Sequence, residues 1–165
     1  MKVGILTISD KGSRGERADG SGPAIREILS RIKAEVVCYQ VVPDEPEIIK
    51  KKLIEWSDQE LSLIVTTGGT GFSPRDNTPE ATRAVIEKEA PGISEAIRYY
   101  GLQKTPKAML SRGVSGIRKQ TLIVNLPGSE KAVRESMEAI IDCLPHAVDV
   151  MSGEARECAA KTGKP

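Results

Sequence analysis

Three features of the sequence could do chemistry together. They are the run Thr67-Gly68-Gly69-Thr70-Gly71, the pair Arg75 and Asp76 just beyond it, and a second aspartate upstream, Asp44. Three of the five positions in the run carry no side chain, so main-chain amides there can approach and surround a phosphate or carboxylate. Arg75 offers a fixed cationic fork for phosphate oxygens, and Asp44 and Asp76 offer hard carboxylates suited to holding Mg²⁺ against those phosphates. Each feature also has an ordinary alternative: glycines make tight turns, and a lone aspartate near a helix start is commonly a cap. The run is not a Walker A sequence, since no GK[ST] follows, and it is not GxGxxG, because Pro74 takes the last glycine position.

A basic segment, MLSRGVSGIRKQ, sets Arg112, Arg118 and Lys119 among Ser111, Gly113, Ser115 and Gly116, a mixture that can wrap an anion closely or simply form a solvated loop. Ser13, Arg14 and Arg17 invite the same pair of readings. The single histidine, His146, lies far in sequence from the other candidates and reads as structural or exposed. Cys38, Cys143 and Cys158 are widely spaced with no CxxC pair, which points to buried fillers rather than a zinc site or disulfide framework.

Composition narrows the classes. A chain of 165 residues with 39% hydrophobic and 28% charged side chains fits one ordinary domain, expected to span residues 1–165. Its net charge of +1 gives no overall field for nucleic acid, and 3% aromatics leave little to stack bases on. No apolar run is long enough for a bilayer, and the opening MKVGILTISD lacks the pattern of a signal peptide, so a cytoplasmic protein with no membrane or nucleic-acid partner is expected.

The elements that must hold these residues can be read in order. Val3 to Ile8 reads as a buried strand and Lys11 to Gly22 as a loop, followed by a helix through Leu29 and Ile32. Val36 to Val42 reads as a strand, and Asp44 as the cap of a helix carrying Ile48, Ile49, Leu53 and Trp56. Leu61 to Thr66 is a strand running into the glycines. A helix capped at Asn77 or Thr78 continues through Val85 and Ile86, is interrupted at Pro91 and Gly92, and gives way to another over Ile93 to Tyr100. Ala108 to Arg118 suggests a strand pair or bent strand, Thr121 to Asn125 a strand, and Glu130 to Val150 a long helix that Pro145 kinks or splits. The last dozen residues read as a tail. Strands alternating with helices predict an α/β fold, a mostly parallel sheet covered on both faces. In such sheets ligands bind beyond the carboxyl ends of the strands, where Ser9, Asp10, Asp44, the glycine run, Asn125, Pro127 and Gly128 would converge.

The segments TISDKGSRGERADGSGP, VVPDEPE, TGGTG, SPRDNTPEA, PGISEAIR, MLSRGVSGIR and LIVNLPGS, in that order along nearly the whole chain, resemble the MogA/MoaB family of molybdenum-cofactor biosynthesis, with details nearest the MogA branch. The resemblance implies a three-layer α/β/α, molybdopterin-binding-like fold, often trimeric. It also implies molybdopterin adenylyltransferase activity: AMP from MgATP joined to the molybdopterin phosphate, pyrophosphate released, and the product handed to a molybdate-inserting protein. On this basis Asp44 and Asp76 carry over as catalytic and Mg²⁺-binding residues. Gly68, Gly69, Thr70 and Gly71 carry over as the phosphate loop, with Ser9, Asp10, Ser111, Asn125, Pro127 and Gly128 around ATP and molybdopterin, and Arg75 and Arg112 supply charge. The rival expectations are a MoaB-like pterin-binding or scaffold protein without adenylyl transfer, and a generic nucleotide-binding α/β protein.

Overall fold

The computed structural model describes residues 1–153, so Cys158 and the expected tail lie outside the described residues. Six strands form one sheet in the order β2-β1-β3-β6-β5-β4. The strands β1 (Lys2–Ile8), β2 (Glu35–Val42), β3 (Leu63–Thr67) and β6 (Thr121–Leu126) run parallel to one another, whereas β5 (Ser115–Arg118) lies antiparallel to β6 and to the two-residue β4 (Lys88–Glu89).

The apolar runs in β1, β3 and β6 follow from burial on both faces. Val3, Ile5, Leu63, Val65, Leu122 and Val124 point into one core, against helices α2 (Ser21–Leu29), α5 (Pro91–Leu102), α6 (Glu130–Ile140) and α7 (Leu144–Ser152). The intervening residues Leu6, Ile8, Ile64 and Ile123 point into a second core, against α3 (Pro46–Asp58) and α4 (Thr78–Arg83). A one-residue register slip would exchange the two sets, so the packing fixes the pairing. The result is the expected three-layer α/β/α arrangement.

Several boundaries differ from the sequence reading, each for a local reason. Residues taken as pure loop contain a single helical turn, α1 (Asp10–Ser13), whose start is capped by Ser9 Oγ accepting from Gly12 N at 3.1 Å. The N-cap of α3 is Glu45 rather than Asp44, which turns its carboxylate elsewhere. α4 stops at Arg83, because Glu87 N pairs with Ile117 O as the chain enters β4; Val85 is buried without being helical. Pro91 opens α5 instead of interrupting a helix, in the first-turn position where its missing N–H costs nothing. Residues 106–118 hold a 3-10 turn (Pro106–Leu110) and a single strand in place of a strand pair, while the last helix is split, as one of the two expected outcomes at Pro145, which sits in the first turn of α7.

Candidate active site

The order β2-β1-β3 means that the chain leaves β1 toward one side and later returns on the other, so a crevice opens between the carboxyl ends of β1 and β3. The glycine loop sits in that crevice. Gly68 has φ +98° and Gly69 φ +62°, conformations that disfavour any side chain, and a Cβ on Gly68 would lie 2.2 Å from the Ile8 carbonyl oxygen. Gly68 N donates to Leu126 O at 3.2 Å, Thr78 N to Gly69 O at 3.1 Å, and Thr78 Oγ1 to Gly68 O at 2.9 Å. The loop is thereby tied to β6 and to the start of α4. The main-chain nitrogens of Gly69, Thr70 and Gly71 donate no hydrogen bond among the described residues, and all three residues line a cavity.

Around this loop the strand ends deliver charge. Asp10 N donates to Asp44 Oδ2 at 2.8 Å and Asp44 N to Asp10 Oδ1 at 3.1 Å, a reciprocal pair joining the ends of β1 and β2. Arg75 forks onto both oxygens of Asp10, at 3.1 and 2.9 Å, and reaches Glu45 at 2.8 Å. That guanidinium, with the Asp44 amide, holds the Asp10 carboxyl below the usual carboxylate range. Asp44 goes the other way: burial pushes its carboxyl up, and the like charges of Asp10 and Asp76 add to the shift. Asp76 closes its own turn, its Oδ2 accepting from Ser73 N at 3.0 Å.

Two cavities flank the loop. One, of about 580 Å³, lies between the loop, α5 and the start of α6, and its charged lining includes Arg98, Lys107 and Lys131. The other, of about 500 Å³, lies against β1 and the start of α2, and is lined by Asp19, Asp44, Asp76 and Glu130 with Arg17. Gly69, Asp76, Gly128 and Ser129 line both, so the two spaces meet at the loop.

The expected site residues fall into two groups. Ser9, Asp44, Asp76, Gly68, Gly69, Thr70, Gly71, Ser111, Pro127 and Gly128 all line one or both cavities. Asp10, Arg75, Arg112 and Asn125 line neither and are engaged with the protein itself. Arg112 holds main-chain carbonyls of the loop. Asn125 is 2% exposed; its Nδ2 donates to Thr66 Oγ1 at 3.0 Å and Thr82 Oγ1 at 2.9 Å, while its Oδ1 accepts from Val114 N at 3.2 Å. Its hydrogen bonds join β6 to β3, α4 and the β5 entry.

Sequence reasoning passed over Asp19 and Ser129. Asp19 accepts from Ser21 N at 2.9 Å and from Thr7 Oγ1 at 2.6 Å and Tyr39 at 2.7 Å, fixing the start of α2 at the cavity wall. Burial opposes its ionisation, but these hydrogen bonds leave its carboxyl below the usual range. Ser129 caps α6, whose first turn faces both cavities; the sequence Gly128-Ser129-Glu130 ahead of an amphipathic run signals such a cap.

Comparison with known proteins gives this crevice a context. The family described as "probable molybdopterin binding domain" matches residues 4–146. The chain is 44% identical over 156 residues to the molybdopterin adenylyltransferase of Helicobacter pylori strain J99, covering 93% of this chain and 89% of that one. It is 48% identical to the molybdenum cofactor synthesis protein cinnamon of Drosophila melanogaster, and the match spans 93% of this chain but only 26% of that larger protein. Among solved structures, the molybdopterin biosynthesis enzyme MoaB of Thermus thermophilus superposes with a TM-score of 0.88 at 57% identity, over 92% of this chain and 96% of that one. A match of this extent, on a fold whose strand ends gather round one glycine loop, means that the chain belongs to the molybdopterin-binding domain family of molybdenum-cofactor biosynthesis.

Proposed function

We propose that this protein is a molybdopterin adenylyltransferase. A molybdopterin phosphate oxygen attacks the α-phosphorus of ATP, forming a new P–O–P bond, and the bond to the β-phosphate oxygen breaks to release pyrophosphate. The phosphate nucleophile is already ionised near neutral pH, so no strong base is needed; the task is to bring two anions together and align them. The observation that carries this reading is the meeting of two cavities at Gly69 and Asp76, with the free amides of Gly69, Thr70 and Gly71 along the larger cavity and Asp44 along the other. The amides anchor a phosphate, while Arg98, Lys107 and Lys131 offset charge from the larger cavity.

The residues fit Mg²⁺ arriving with the nucleotide. Asp44 and Asp76 line the same cavity, and the Asp44 carboxyl, pushed up chiefly by burial with like charge from Asp10 and Asp76 adding to it, has no ion pair among the described residues to offset its charge. Among the described residues no group of three or more His, Cys, Asp or Glu forms a metal cage, and Mg²⁺ ordinarily takes only one or two protein carboxylates, completing its shell with phosphate and water. Bound there, the ion would neutralise phosphate charge, with Asp44 and Asp76 holding it.

A homotrimer, hand-over of the product to a molybdate-inserting protein and a cytoplasmic setting belong to the same reading. Exposed Phe72, Tyr99 and Met109 offer apolar surface for contacts between copies, and no described helix is long and apolar enough to cross a membrane. The test is incubation of purified protein with molybdopterin, Mg²⁺ and ATP labelled at the α-phosphate. Label in the pterin product supports transfer; tight pterin binding with no label would leave a binding protein instead.

A further inference from the structure

The six residues 71–76 bridge the glycine loop to α4 and carry Asp76, yet most of them are exposed. Their internal bonds, Asp76 N to Ser73 O at 2.9 Å and Ser73 N to Asp76 Oδ2 at 3.0 Å, shape the turn without attaching it to the sheet. Attachment comes from two arginines: Arg75, within the turn, reaches Asp10 and Glu45 through its side chain, whereas Arg112 grips the turn's main chain. Arg112 Nε donates to Gly71 O at 2.7 Å, its Nη2 to Asp76 O at 2.5 Å, and its Nη1 to the Glu80 carboxylate in α4. Its own main-chain N donates to Thr70 O at 2.9 Å. One guanidinium therefore grips both ends of the turn, while its backbone grips the residue before it.

Arg112 lines neither cavity at the glycine loop; it faces a separate space of about 370 Å³ near the starts of α5 and β5. A phosphate in the large cavity would instead lie among the lining cations Arg98, Lys107 and Lys131. We infer that Arg112 is a positioning residue: it fixes the Asp76 carboxylate by pinning the carbonyls of Gly71 and Asp76, and does not itself touch the reactants. The role in catalysis rests on the proposed function of Asp76. A planar fork with several fixed donors is what the task requires, and a lysine ammonium, a point charge on a flexible stem, cannot span the two carbonyls and Glu80 together.

The distinguishing variants are Arg112→Lys and Arg112→Gln, assayed for transfer. Both should lower kcat by about 10–100-fold, as loss of an orienting partner does, leave KM for molybdopterin within about threefold, and raise the Mg²⁺ concentration giving half-maximal rate. Added to Asp76→Asn, Arg112→Lys should change the remaining rate by less than about twofold, because the group it positions is already gone. An Arg112→Lys enzyme with wild-type kcat, or costs that multiply in the double variant, would overturn the inference. Amide exchange over residues 71–77 supplies a readout independent of turnover: it should accelerate in Arg112→Lys. If the wild type showed no transfer, the functional reading would fall while exchange still decided the positioning claim, unchanged protection of the turn refuting it.

Discussion

The main-chain N–H of Asp10 is bonded to the Asp44 carboxylate and the N–H of Asp44 to the Asp10 carboxylate, so each aspartate holds the other's backbone. The two carboxylates nevertheless part company electrostatically. Arg75 neutralises Asp10 and keeps it ionised, whereas Asp44 is half-buried, has no ion pair among the described residues, and faces Asp76. One member of the pair is scaffold, and the other is left charged toward the cavity.

Replacing Asp44 with Asn should therefore stabilise the protein near neutral pH while abolishing transfer. The folded-state pKa of Asp44 is raised, so between its ordinary value and the raised one the folded protein binds more protons than the unfolded chain, and stability falls as pH rises through that window. Asn removes the loss while still accepting from Asp10 N. Thermal melts at pH 7 should show a higher Tm in the variant than in the wild type. The gain should fade as pH falls through and below the ordinary carboxylate range, where the carboxyl becomes protonated in both states. A variant less stable than wild type at pH 7 contradicts the assignment.

Exchanging Asp76 for Asn should cost transfer at least about 100-fold, the scale of losing one aligned group at the reacting centre. Molybdopterin affinity and the melting temperature should stay near wild type, since the Asn Oδ1 can still accept from Ser73 N. Full turnover by this variant removes Asp76 from the mechanism.

Gly69→Ala tests the loop. Its Cβ would sit 2.3 Å from Thr78 Oγ1 and 3.2 Å from Asp44 Oδ1, at φ +62°, so strain and displacement of Asp44 should coincide. A stability loss of about 1–3 kcal/mol is expected, with a larger fractional loss of activity. Gly15, at φ +73° with nothing within 4 Å of its Cβ position, is the control: Gly15→Ala should cost only backbone strain and leave turnover intact.

Asn125→Ala separates scaffold from substrate contact. It leaves Val114 N, Thr66 and Thr82 short of partners in the core, so a loss of about 2–4 kcal/mol is expected, seen as a drop of roughly 5–15 °C in Tm. KM for molybdopterin in the folded fraction should move by less than about threefold. A rise in KM without loss of Tm would instead put Asn125 in contact with a reactant.

What the sequence disclosed followed burial and connectivity. β1, β3 and β6 were readable because burial on both faces writes an unbroken apolar run, and from their order the strand ends, with Asp44, Asp76 and the glycines, could be placed in one crevice. Val85 and Ile86 misled the reading of α4 because an apolar residue reports burial, not helicity. The destinations of Arg75 and Arg112 were also hidden. A guanidinium suits a phosphate and a carbonyl equally well, and the partners that decided the matter lie 30 to 65 residues away for Arg75 and 32 to 41 for Arg112.

The reversal of β5 divides the molecule into a foundation and an adjustable margin. Four parallel strands carry the start of the glycine loop and the Asp10–Asp44 pair, whereas the 3-10 turn and Ser111 lead into β5, which pairs within the sheet with β6 and β4. Insertions between α5 and the 3-10 turn, ahead of Arg112, could reshape the mouth of the larger cavity without disturbing the registration of the platform or the grip of Arg112 on the turn. Inheritance could thus revise which guest is admitted while the machinery beneath stays as it was.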